Sequence, residues 1–166
     1  MKFDRHAGPV LSLFRIVTGL LFVCHGLSSV FNVFGGNQGS GHAIPIGTWP
    51  GWWAALIQVI CGGLVLIGLF TRAGAFLSSG SMAYAYFVVH QPHAVLPMQN
   101  GGELPVVFCW SFFLIFVLGP GPWSLDALVR RGESGAEAPA PVLAEAPAPV
   151  LAEAPAPVLA EAPAEG

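Results

Sequence analysis

Four apolar runs occupy most of the sequence between Pro9 and Gly119. They are PVLSLFRIVTGLLFVCHGLSSVF (9–31), GWWAALIQVICGGLVLIGLF (51–70), AGAFLSSGSMAYAYFVVH (73–90) and LPVVFCWSFFLIFVLG (104–119). A helix needs about 20 mostly apolar residues, at 1.5 Å rise each, to cross a bilayer. The first two runs meet that length and the last two come close. A very apolar soluble core is the alternative, and charge argues against it. Only 9% of the residues are charged and the mean hydropathy is +0.68, whereas an average soluble domain carries about 25% charged residues. A cleaved signal peptide is a poor account of the first run, because Arg15 interrupts it and no A-x-A pattern follows. The expected fold is an all-α integral membrane protein: a four-helix transmembrane bundle over residues 1–131, followed by a disordered Pro/Ala-rich repeat tail over 132–166.

The basic residues give an orientation. All six, Lys2, Arg5, Arg15, Arg72, Arg130 and Arg131, fall at or near the N-terminus, the 71–72 turn, or the stretch after the fourth run. The loops 32–50 and 91–103 contain no Lys or Arg. That is the positive-inside pattern, so both termini are expected on the cytoplasmic side of the plasma membrane. Trp49, Trp52 and Trp53 suit the outer aromatic belt, and Trp123 the inner one.

The loop FGGNQGSGHAIPIGTW lacks the Lys-Ser/Thr ending of a P-loop and reads as a mobile connection. After the fourth run, GPGPW breaks the chain and SLDALVRR reads as a short helix. Ser124 is its N-cap, Asp126 lies in its first turn, and Arg130 and Arg131 lie at its negative end. APAPVLAE then occurs three times without variation, at 138–145, 146–153 and 154–161. Proline forbids a continuous helix there, which leaves an extended spacer or a repeated weak docking segment. Cys24, Cys61 and Cys109 each fall inside a run, form no CxxC pair, and read as small buried hydrophobes.

Candidate chemistry lies in few residues. At 100° per residue, Arg15, Thr18, Gly19, Phe22, His25, Gly26 and Ser29 share one stripe of the first helix, which should face the other helices. Arg15 lies near the cytoplasmic end, where its side chain can snorkel. His25 lies about 15 Å further along. An ionisable group at that depth costs free energy unless it finds a partner, which makes His25 either a functional group or an imidazole bonded to Ser29 or a carbonyl. Gln58 is a second interior polar group that could reach it. His90 ends the third run and Glu103 begins the fourth, at a helix N-terminus that favours a carboxylate. His25, Gln58 and Glu103 are expected to line one cavity in the outer half of the bundle, with His93, beyond Pro92, mattering less. His90-x-x-His93 makes a weak metal motif, and no metal site is expected.

Taken in order, Arg15…Gly19…His25-Gly26, CGGLVLIGLFTR (61–72), NGGE (100–103) and GPGPWSLD (119–126) resemble the DoxX family of small four-helix membrane proteins. The resemblance covers roughly residues 10 to 130. It implies a link to redox chemistry, since members are similar to a subunit of thiosulfate:quinone oxidoreductase. Ser28-Ser29 stand where the family often has a basic residue, and Gln58 where it often has a carboxylate. Two functions follow. In the first, the chain is a quinone-linked oxidoreductase subunit: His25 and Glu103 exchange protons, and Gln58, His90 and Arg15 line a quinone pocket or make structural polar contacts. In the second, it is a non-catalytic accessory subunit of a larger membrane complex, with the repeat as a tether. The expected partners are membrane lipid and other membrane proteins, with no nucleic acid.

Overall fold

A computed structural model describes residues 4–136, and among them it has six α-helices and no strand. The repeat tail, and the expectations attached to it, lie outside the described residues. Helix α1 spans Asp4–Phe31, with Pro9 in its first turns. Helix α2 is Gly51–Ile67 and α3 is Thr71–Tyr84, which continues without a break as a π-helical turn, Ala85–His90. A short helix α4, Pro97–Asn100, precedes α5, Glu103–Leu118. Helix α6 is Leu125–Ala136. The apolar runs thus correspond to α1, α2, α3 with its π turn, and α5. Periodicity does not announce α4, one turn set by Pro97 at its start and Gly101 in the left-handed conformation at its end.

Helix α1 packs along α2, and α3 packs along both α2 and α5. Two glycines make the first contact close. A Cβ added at Gly19 would sit 2.8 Å from the Leu66 backbone nitrogen, and one at Gly26 would sit 2.8 Å from the Ala55 carbonyl oxygen. At the centre of the bundle, Phe22, Val65, Phe112 and Ile115 are wholly buried. The Phe22 ring lies 4.5 Å from that of Phe112 and 5.1 Å from that of Phe108, in tilted packing.

The end of the bundle holding Arg15 is tied by polar contacts. Arg15 is 1% exposed, so it does not snorkel as its sequence position predicts. Its guanidinium donates to the carbonyls of Pro120 (2.9 Å), Leu66 (2.6 Å), Trp123 (2.6 Å) and Val65. The Pro/Gly-rich segment after α5 and the last turn of α2 leave carbonyls with free acceptor capacity, Val65 O taking the Gly68 N–H at 3.1 Å as well, and a planar fork with five N–H groups can reach several of them. Gly68 ends α2 at φ 76, and a Cβ there would fall 2.5 Å from that of Ser124, so this turn and the start of α6 are in direct contact.

Asp126 completes the junction. Its carboxylate accepts from the backbone N–H groups of Phe70 and Thr71, both at 2.9 Å, and its own N–H donates to the Gly68 carbonyl at 2.8 Å. It therefore caps the N-terminus of α3 from a different helix. Partial burial raises its carboxyl pKa, but the Thr71 and Phe70 hydrogen bonds and the nearby Arg130 charge outweigh this and hold it below the usual range. Ser124 caps α6 as expected, its Oγ accepting from the Ala127 N–H at 3.1 Å.

The outer surface of this packing is apolar. Leu13, Phe14, Val17, Leu20 and Leu21 are exposed on α1, as are Val107, Trp110, Phe113, Leu114 and Val117 on α5. A water-facing domain does not expose contiguous patches of this kind without a partner surface. By length and composition α1 can cross a bilayer; α2 and α5 are shorter apolar helices.

Candidate functional site

Opposite the Arg15 junction, the bundle opens into a cavity of about 1000 Å³, at the upper end of the usual range for ligand pockets. Its walls come from the last turns of α1, the first turns of α2, the second half of α3 with its π turn, and the start of α5. Phe76, Leu77, Met82, Leu104 and Phe108 make much of the apolar wall, with Trp49 and Trp53 beside them. His25, Ser28, Gln58 and His90 are among its polar residues.

The polar groups differ in how well they are satisfied. The His25 ring stands edge-on to Phe108 with centroids 5.8 Å apart. Among the described residues no hydrogen bond reaches that ring. The sequence offers Ser29 as its partner, but the Ser29 hydroxyl donates to Asn37 Oδ1 at 3.1 Å instead. Gln58 lines the cavity, and its Oε1 is buried without a hydrogen-bond partner. Gly26 brings α1 close to this side chain: a Cβ there would lie 2.8 Å from that of Gln58.

His90 ends the π turn and its Nδ1 is 3.0 Å from the Asn100 carbonyl oxygen. A carbonyl only accepts, so Nδ1 carries the proton and Nε2 is left for another partner. π-Helical turns recur where a helix must re-aim side chains at a site, and this one brings Ala85, Val89 and His90 to the cavity. The loop that follows is tied down by Asn100, whose Nδ2 donates to Ala94 O at 2.7 Å and whose Oδ1 accepts from Gly102 N–H at 2.7 Å.

The remaining sequence candidates lie elsewhere. Arg15 is at the far junction and does not line the cavity, so of its two expected roles it occupies the structural one. Glu103 is exposed at the start of α5; the cavity wall there is made by Leu104 and Pro105 instead. His93 is exposed, with Nδ1 3.0 Å from Val89 O, and is not part of the wall.

Sequence reasoning missed Ser28, Asn37 and Asn100 as cavity residues. Ser28 carried a signal, since it lies three residues beyond His25 on the same helical face. Asn37 carried none, because it sits in the glycine-rich loop read as a free connection. That loop folds back on α1: Ser28 Oγ donates to Gly36 O, and Ile44 N–H donates to Ser29 O at 2.8 Å. Gly36 permits this with φ 74 in a buried position where a Cβ would collide with His42.

The family model described as DoxX matches residues 10–91. A Haemophilus influenzae protein, described as uncharacterized, is 33% identical over 132 residues, spanning 75% of this chain and 94% of its own length. The chain belongs to the DoxX family. An uncharacterized membrane protein of Mycobacterium tuberculosis is 29% identical over 134 residues, covering 71% of this chain and 80% of its own. No solved structure matches the chain. The DoxX match includes His25, Gln58 and His90 and stops before Glu103. With the apolar exterior of the bundle, this makes the chain a DoxX membrane protein.

Proposed function

We propose that this DoxX protein is a four-span membrane subunit with both termini cytoplasmic, and that its cavity takes the head group of a membrane quinone. The spans are α1, α2, α3 with its π turn, and α5. Arg5, Arg15, Arg72, Arg130 and Arg131 lie at or toward the Arg15 end, which supports placing that end inside. The cavity then lies in the outer half of the bilayer. Labelling of a cysteine introduced at Ser40, in a cysteine-free background, is expected from the outer side only; labelling from the cytoplasmic side alone contradicts the topology.

The observation that carries the quinone reading is a largely apolar cavity of ligand size with His25, Gln58 and His90 among its few polar wall residues. A flat ring with exchangeable oxygens fits such walls, and a quinone there would supply two-electron, two-proton chemistry. The Gln58 amide hydrogen-bonds one ring oxygen, and His90 Nε2 offers a second contact from the π turn. His25, with its ring nitrogens uncommitted, exchanges a proton at the cavity wall. Glu103, exposed next to Leu104 and Pro105, passes protons between the mouth and water. Electrons come from a partner in the membrane that oxidises a sulfur or thiol donor.

Purification from native membranes in mild detergent, followed by extraction and chromatography of bound quinone, tests this reading. The wild-type chain is expected to retain quinone, and His25→Ala and Gln58→Leu to lose most of it while remaining folded. Equal retention by both variants and the wild type would remove the site.

A further inference from the structure

Helices α2 and α3 touch closely near the turn that joins them, and the face of α3 carrying Gly80 stands open. At Gly74 an added Cβ would lie 3.2 Å from the Cys61 carbonyl oxygen and 3.3 Å from Val65 Cγ2. At Gly80, about 9 Å further along α3, an added Cβ meets nothing within 4 Å. Leu77, Gly80 and Tyr84 recur at helical spacing and so share one face of α3. All three line the cavity, and all three are also exposed. A face can be wall and outside surface together only where the cavity opens sideways. Across the cavity from this face, α2 contributes Ala54, Ile57 and Gln58 to the wall. Beyond Leu77 and Gly80, Trp49 packs edge-on to Tyr84 with centroids 5.8 Å apart.

We infer that this slot is a lateral portal, through which a prenylated quinone enters from the bilayer and over which its tail remains, crossing Gly80 while the head group meets Gln58 and His25. The inference rests on the quinone reading above. A polar pocket with an apolar side door admits a ligand that is already dissolved in hydrocarbon. Transfer of the tail from lipid to this slot gains little, because both surroundings are apolar. The slot therefore needs to be permissive rather than adhesive, which is what the open space over Gly80 provides. A phospholipid fits less well: among the described residues lining the cavity there is no Lys or Arg to pair with a phosphate.

The test separates the tail from the head. Gly80→Trp fills the slot from a position with open space around it, and Leu77→Trp does so from an exposed neighbour. The purified full chain and both variants are titrated with a prenylated quinone and with a tail-less methylated benzoquinone. Each variant is expected to lose at least about tenfold in affinity for the prenylated ligand. Affinity for the tail-less ring, which shares this wall, should fall at least about threefold less. Equal effects on both ligands, or no effect on either, overturn the portal. Displacement of a co-purified phospholipid instead of quinone overturns the proposed occupant. If the wild-type chain binds neither ligand, the quinone reading itself fails and the portal falls with it. Binding of only the tail-less ring by the wild type overturns the portal while leaving the head-group site standing.

Discussion

Replacing Arg15 by Met tests whether the side chain is a structural clamp or a lipid-facing anchor. In the fold its guanidinium serves four carbonyls, two at the end of α2 and two in the segment between α5 and α6. Methionine fills much of the same volume but removes all four hydrogen bonds, leaving Val65 O only the Gly68 N–H at 3.1 Å. At roughly 1 kcal/mol net per hydrogen bond, the loss is about 4 kcal/mol. Lysine brings three donors on a single atom and cannot span both segments as the fork does, so Arg15→Lys should lose about half as much. Unfolding in detergent with increasing denaturing surfactant, followed by circular dichroism, measures the difference. Stability of the wild type should not depend on anionic lipid, because the guanidinium is inside the protein. If Arg15→Met lies within about 0.5 kcal/mol of wild type, and wild-type stability rises with anionic lipid, the side chain is serving head groups and the clamp is refuted.

Gly26→Ala should cost about 1–3 kcal/mol and lower quinone retention, since the new methyl group falls 2.8 Å from Ala55 O, Gln58 Cβ and Val59 Cγ2. Gly63→Ala, where a Cβ meets nothing within 4 Å, should be neutral or stabilising by up to about 1 kcal/mol in the same unfolding assay. The depressed Asp126 carboxyl contributes stability that is full above the ordinary carboxylate range and lost as pH falls through its lower folded value. Melting temperature should therefore fall below about pH 4, and Asp126→Asn should flatten that dependence; an unchanged acid profile in the variant contradicts the capping role. Deleting 137–166 should leave the melting temperature of the helical unit unchanged, and a large fall would show that the repeat supports it.

The positions of the long helices were legible because their signal is cumulative: some 20 apolar residues cannot be hidden. The small stripe on α1 was also legible, since Gly19, Phe22 and Gly26 recur at helical spacing and each meets a neighbour closely. Arg15 was misread because sequence gives its depth but not the unbonded carbonyls waiting 105 residues away at Pro120. The cavity was half legible. His25 and Gln58 declared themselves as polar groups in apolar runs, whereas Asn37 and Asn100 reach it through loops whose backbone turns leave no periodic trace. Glu103 shows the limit of reasoning from position: it starts α5 as expected, but the wall of the cavity is given to the next two residues. The π turn was invisible, because Ala85–His90 has the composition of any apolar helix end.

Photoaffinity labelling of native membranes with an azido-quinone, followed by peptide mapping, shows whether a quinone occupies this cavity. Saturable labelling, competed by unmodified quinone, is expected on peptides containing His25, Gln58 and the 85–90 turn, and is expected to be lost in Gln58→Leu. Labelling confined to the lipid-facing surface around Leu13, Val17 and Leu20, unaffected by competitor or by that substitution, would contradict a quinone site in this cavity.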